Sequence, residues 1–290
     1  MKTYNTINVS FVTDDDCALE FANMVQALIP KDAENVEVHS NARPATYTLK
    51  ICQEPVHDFN PRDDDNIGTM RCAHGRYDLG DEESDGNMFE DMLYLLSHHC
   101  DIELEDELDH IHDMCEARGE EGAYNEKAQE FVGDIFDKYF ISAPLYLYDH
   151  SGITISMGPF SCPWDSGCVG FIYVTRKRAE EELGLDDGDL PTGRDFKNYE
   201  SLDDYVVNHI FANEIKVYDQ YLRGDVWYFV IEDAGGDVVD SCAGFFGDDW
   251  KTNGLADQIS DRCKALIDDI RLLDSMGNEI DKLDHEDVFG

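Results

Sequence analysis

Two groups of residues carry the types that could do chemistry. The first is Cys72, His74, His98, His99, Cys100, His110, His112 and Cys115. A zinc ion needs four such ligands converging on one point. No CxxC pair occurs anywhere in the chain, so the spacing of a finger or ribbon is missing. On a helix His110 and His112 would point about 200° apart, whereas His112 and Cys115 would share a face. Buried thiols and surface imidazoles are therefore expected here, and no metal or cofactor is assigned. The second group is Asp149-His150-Ser151 with Cys162, Asp165 and Cys168. Neighbours in one turn cannot converge as a triad, which is built from distant segments. His150, Cys162 and Asp165 could form a thiol or acid–base set, with the imidazole serving the sulfur. Trp164-Asp165-Ser166-Gly167 is not a GxSxG elbow, and neither a P-loop nor GxGxxG is present. No catalytic residue is assigned, and a metal- or thiol-dependent enzyme is kept as the alternative reading.

The chain's charge says more than its motifs. Sixty-four acids face 22 bases among 290 residues, a formal net charge of -42. The excess peaks in residues 78–121, where 17 acids stand against Arg118 alone. Self-repulsion of this size opposes compactness. It also argues against direct binding to nucleic acid, whose phosphates would be repelled. Three explanations remain open: a solubilising surface, adaptation to high salt, or imitation of nucleic acid toward a basic partner. Forty-two charges match about 20 base pairs of duplex, roughly 70 Å of axis.

The elements that must position these residues follow from the apolar pattern. Residues 144–174 hold only Asp149 and Asp165 as charges and read as strand, turn, strand, displayed loop and buried strand. The loop spans residues 160–167, with Phe160 and Trp164 as candidate contact aromatics, packing of Trp164 into the core being an equal expectation. Upstream, residues 4–12 read as a strand, 13–30 as a helix capped by Thr13, and 36–39 and 45–52 as two more strands. Residues 101–116 and 124–139 are helices with acids opposite an apolar stripe. Ser201 caps a long helix buried through Leu202, Val206, Ile210, Val217 and Leu222, which stops at Arg223-Gly224. Asp233-Ala234-Gly235-Gly236 is a hairpin turn, and residues 255–273 a last amphipathic helix. The fold class is α+β: an antiparallel sheet around 144–174 with flanking helices and an N-terminal β-α-β-β unit. Two regions are expected, residues 1–140 and 141–290. No opening run resembles a signal peptide, and none reaches the roughly 18 apolar residues of a membrane span. Nine cysteines without framework spacing suit reduced thiols in a cytoplasm.

Three blocks carry a resemblance: residues 71–81 (RCAHGRYDLGD), residues 144–155 with 159–174, and residues 217–233 with 238–247. Together they resemble a family of proteins carried by bacteriophages and mobile elements, phage anti-defence proteins nearest the Gabija anti-defence protein in size. Cys168 departs from the polar residue expected in the middle block. That departure puts a shared Cys162–Cys168 chemistry in doubt for the family. The resemblance implies an oligomer in the host cytoplasm that binds a DNA-targeting nuclease complex and blocks its access to DNA without catalysis. Together with the charge, it nominates Asp81, Glu82, Glu83, Asp85, Glu103, Asp106, Glu107, Asp113, Phe160 and Trp164 as partner-binding residues. A soluble acidic phage structural or scaffolding protein is the third reading.

Overall fold

The computed structural model describes residues 7–12, 46–54, 59–150, 152–185, 196 and 198–269. Helices and largely antiparallel strands form an α+β chain, as the pattern requires. It divides into two compact units, residues 1–59 with 223–290, and residues 60–222. The boundary expected near 140 is corrected: residue 140 begins a strand inside the second unit. The first unit is discontinuous in sequence, which no local pattern announces.

In the first unit, β1 (Ile7–Val12), β2 (Thr46–Gln53), β8 (Val226–Glu232) and β9 (Val238–Phe246) form an antiparallel sheet in the order β1-β2-β8-β9. Period-two burial places Leu49 and Ile51 of β2 with Trp227, Phe229 and Ile231 of β8 in one core. Trp250, Leu255, Ile259, Cys263 and Leu266 cover them, with Trp227 and Trp250 edge to face at 4.6 Å. The hairpin turn falls where expected, and Asp233 Oδ1 accepts from the Gly235 and Asp237 amides. The last expected helix is broken instead into α7 (Leu255–Gln258) and a 3-10 run, Asp261–Asp269. Of the N-terminal β-α-β-β unit, the helix at 13–30 and the strand at 36–39 lie outside the described residues.

The second unit is built on a five-stranded sheet in the order β4-β3-β7-β5-β6. Its strands are β3 (Thr69–Cys72), β4 (Glu82–Glu83), β5 (Phe140–Asp149), β6 (Ile153–Ser156) and β7 (Ser166–Thr175). Both faces are covered, so β7 is apolar on successive residues. Ile172 and Val174 join a core with Ala179 of α4 (Arg176–Leu183) and the helical run of residues 202–222; Phe171 and Tyr173 join one with α1 (Met88–Cys100) and α3 (Tyr124–Tyr139). Pro144 lies within β5 where β6, paired only with residues 146–149, gives it no neighbour on that side. A bulge at Val169 shifts the β5–β7 register, and Gly170 follows it at φ 148°. A Cβ on Gly170 would stand 2.0 Å from the Arg71 carbonyl oxygen, so only glycine fits.

The run from residue 202 departs from a regular α-helix. Ser201 Oγ accepts from the Asp204 amide, capping α5 (Leu202–Tyr205) as expected. A π-helical stretch, Val206–Phe211, then separates α5 from α6 (Ala212–Leu222). Its wider turn rotates everything downstream. Phe211, Ile215 and Tyr218 are therefore the buried residues, in place of Ile210, Val217 and Leu222.

This run meets the sheet through Arg62, whose side chain is 2% exposed. Arg62 Nε and Nη2 fork onto Asp81 at 2.9 and 2.6 Å, and Nη1 reaches Glu214 of α6 at 3.1 Å. Nη2 also donates to the Gly68 carbonyl. Burial alone would lower the guanidinium's pKa; its bonds to Asp81 and Glu214 outweigh that and raise it. Arg62→Ala would leave two carboxylates enclosed without their counter-ion, an expected loss of about 3–5 kcal/mol. Urea unfolding checks this. Arg62→Lys should recover only part of the loss, because an ammonium cannot fork.

Candidate functional site

The acidic segment forms a three-helix layer: α1, α2 (Glu105–Arg118) and α3. Its inner side is fixed by apolar spacing. Leu95, Leu96, Leu104, Val132 and Phe136 pack on Phe140, Phe171 and Tyr173 of the sheet. Phe136 and Phe140 stack at 4.4 Å. Asp101, in the left-handed region at φ 56°, ends α1, and Gly119 at φ 68° ends α2. The outer side is carboxylate. Residues 88–139 hold 16 acids and three bases, and 14 of those acids are exposed. Among the described residues Asp91 is the buried one, held by Arg71 Nε at 2.6 Å and by Ser84 Oγ.

The ten nominated residues do not share one fate. Asp81 and Glu82 are corrected: they are partly exposed and already engaged by arginines of the same unit. Asp81 serves Arg62 and accepts from the Met70 amide at 2.7 Å. Glu82 accepts from Arg71 at 2.9 Å and from the Tyr173 hydroxyl at 3.2 Å. Burial, followed by the Glu82 charge, pushes the Tyr173 phenol far up. Glu83 and Asp85 are exposed, and Asp85 Oδ1 accepts from the Asn87 amide. Glu103, Asp106, Glu107 and Asp113 are all exposed on the helical layer. Glu103 accepts from Ser97 Oγ, and Asp106 and Glu107 rim a shallow groove floored by Ile111 and Phe131. Phe160 is half-buried against Tyr148, ring centroids 5.7 Å apart. Trp164 is 91% exposed, so the displayed loop shows its indole to solvent rather than packing it.

Beside that indole lies a cleft of about 420 Å³, walled by His74, Gly75 and Arg76 on one side and Trp164, Asp165 and Cys168 on the other. Asp149 closes it, paired with Arg76, whose guanidinium also sits 5.6 Å from the Tyr77 ring centroid. His74, Arg76 and Asp149 were not singled out from sequence for this role. His74 reads in sequence as a candidate metal ligand and Asp149 as part of a turn, and neither spacing points to Arg76 as their neighbour.

The candidate enzyme groups are placed as follows. Asp149 faces Arg76 and Tyr77 while His150 faces Asp165, and Ser151 lies outside the described residues. Cys162 Sγ donates to Asp165 Oδ2 at 3.4 Å, and His150 Nδ1 lies 3.5 Å from the same oxygen. The three converge, but in the order thiol, carboxylate, imidazole. A nucleophile needs its base directly against it and the carboxylate behind the base. Among the described residues, no three of the cysteines and histidines between 72 and 115 come within ligating distance of one another. The group that does converge is His112, Asp113 and Glu116, all exposed. No family model, curated protein or solved structure matches the chain. Among the described residues, no helix is long and apolar enough to cross a membrane.

The thiols differ in environment. Cys168 is exposed at the cleft, while Cys72 is buried beneath it and its pKa is pushed up to about 12, by burial first and the Asp81 charge second. A thiol that keeps its proton when folded but ionises near 9 when unfolded favours the unfolded chain at high pH. Its contribution is intact below about pH 9 and falls as pH rises toward 12. Urea midpoints measured at about pH 8 and about pH 10 should therefore drop, and less so in Cys72→Ala. At the lower pH a thiol reagent should modify Cys168 at least about tenfold faster than Cys72.

Proposed function

We propose that this protein is a phage-encoded inhibitor that binds a host DNA-targeting defence nuclease complex, its acidic surface competing with DNA. The observation that supports this best is the outer side of the helical layer, with 14 exposed carboxylates and three bases in residues 88–139. Bases that could have neutralised the second unit are engaged elsewhere. Arg62, Arg76 and Arg176 each hold a carboxylate of the sheet, its loops or the opposite helical run, and Arg71 holds Glu82 of the sheet together with the buried Asp91 of α1. A fixed, densely negative face on a packed layer offers a DNA-binding site what duplex phosphate offers it, without a backbone to cut. Complementary charge of this kind supplies steering and register, while affinity needs an apolar contact as well. Trp164 supplies an exposed aromatic for that role. The inhibitor acts without catalysis in this reading, and the order thiol, carboxylate, imidazole gives little support to a thiol enzyme.

The test reverses one face and spares the other. Glu103, Asp106, Glu107 and Asp113 changed together to Lys should leave the fold intact, since each is exposed. Phage plating in a defended host should then fall to the level without the protein. His150, Cys162 and Cys168 changed to Ala should leave plating within about threefold of wild type, the circular dichroism being unchanged for both. Full protection by the reversed protein, with none from the triple-Ala variant, would sink the proposal.

A further inference from the structure

The cleft beside Trp164 contains one guanidinium arrangement already. Arg76 pairs with the Asp149 carboxylate and lies over the Tyr77 ring, a cation held by an acid and an aromatic face. The opposite wall repeats the acid and the ring: Asp165 beside Trp164, both lining the cleft. Asp165 Oδ2 accepts from Cys162 and faces His150 Nδ1, while among the described residues no Lys or Arg is paired with this carboxylate. The indole is 91% exposed. Residues 157–167, the loop that carries it, contain no base.

We propose that this cleft receives an arginine side chain of the basic protein partner, its guanidinium stacking on the Trp164 indole and its fork meeting the Asp165 carboxylate. This deepens the reading of a basic partner and rests on it. The occupant follows from charge: a surface with net charge -42 selects cations, and a bare aromatic face next to a carboxylate suits the planar one. Arginine stacks and forks, whereas a lysine ammonium is a compact, strongly hydrated charge. The about 420 Å³ of the cleft admits one long side chain beside Arg76 without disturbing the sheet beneath. Gly75 and Gly167 line its mouth, and a Cβ at either would meet nothing within 4 Å, so the entrance is open.

Tetra-arginine amide and tetra-lysine amide are suitable probes, titrated into the full chain at one ionic strength. Trp227 and Trp250 are 4% and 8% exposed, so a change in indole emission reports Trp164. Tetra-arginine should shift that emission at a concentration about fivefold lower than tetra-lysine. By calorimetry Trp164→Ala should weaken tetra-arginine about fivefold and leave tetra-lysine unchanged; Asp165→Asn should act in the same direction. Trp164→Ala removes an exposed side chain, so its folding is not at risk. Equal affinity for the two peptides, or a Trp164→Ala protein that binds tetra-arginine as wild type does, would overturn the proposal by assigning all binding to the helical carboxylates. No defence protein enters this assay. Its failure therefore leaves the inhibitor reading standing, and failure of the plating assay leaves the cleft result standing.

Discussion

A guanidinium enclosed between two carboxylates organises the second unit. Arg62 joins the start of β3, the loop before β4 and the sequence-distant α6, which must meet around one charge. Enclosing that charge is costly unless every donor is answered, and here Asp81, Glu214 and the Gly68 carbonyl answer it. The carboxylates are fixed in return: Asp81 also accepts from the Met70 amide, and Glu214 from the Ile67 and Gly68 amides. Arg71 repeats the device on the other face of the sheet with Asp91 and Glu82. In a chain with 64 acids and 22 bases, such pairing has a consequence for the surface. Bases that stabilise the interior are not available to neutralise the exterior, so the helical layer keeps its charge.

Much of this was legible in the sequence where structure is local. The strand pattern of residues 144–174, the helix ending at Tyr139, the Ser201 cap and the hairpin at Asp233 all follow from spacing and turn chemistry, and all are found. What escaped is what depends on distant partners. Asp81 and Glu82 sit in an acidic run and read as solvated; only the tertiary fold brings Arg62 and Arg71 to them. Nor does anything near residue 140 reveal that residues 1–59 and 223–290 close into one unit. The π-helical stretch is a further case. Apolar residues counted at 3.6 per turn give Ile210, Val217 and Leu222 as the buried side, and the wider turn moves that side onto Phe211, Ile215 and Tyr218.

The displayed loop shows the same division. Gly158-Pro159 and Cys162-Pro163 mark a break in pairing, and the loop is irregular as they require. That Trp164 points to solvent, and that its neighbour Asp165 stands between Cys162 and His150, is set by tertiary contacts that spacing does not announce. The bulge in β7 aims residues 166–168 at the cleft while Val169 returns to the core. In the proposed reading the cleft is where side chains of a partner would be met, next to a helical layer whose charge would draw that partner in.

The proposed role turns on whether that charge acts across the solvent gap before contact. The most direct measurement is the association rate between this protein and the DNA-binding enzyme it is proposed to block, followed by stopped flow from about 20 mM to about 300 mM salt. A rate that falls by about tenfold or more over this range, with a much smaller change in dissociation, is expected when exposed carboxylates steer a basic surface. An association rate that does not change with salt would contradict it.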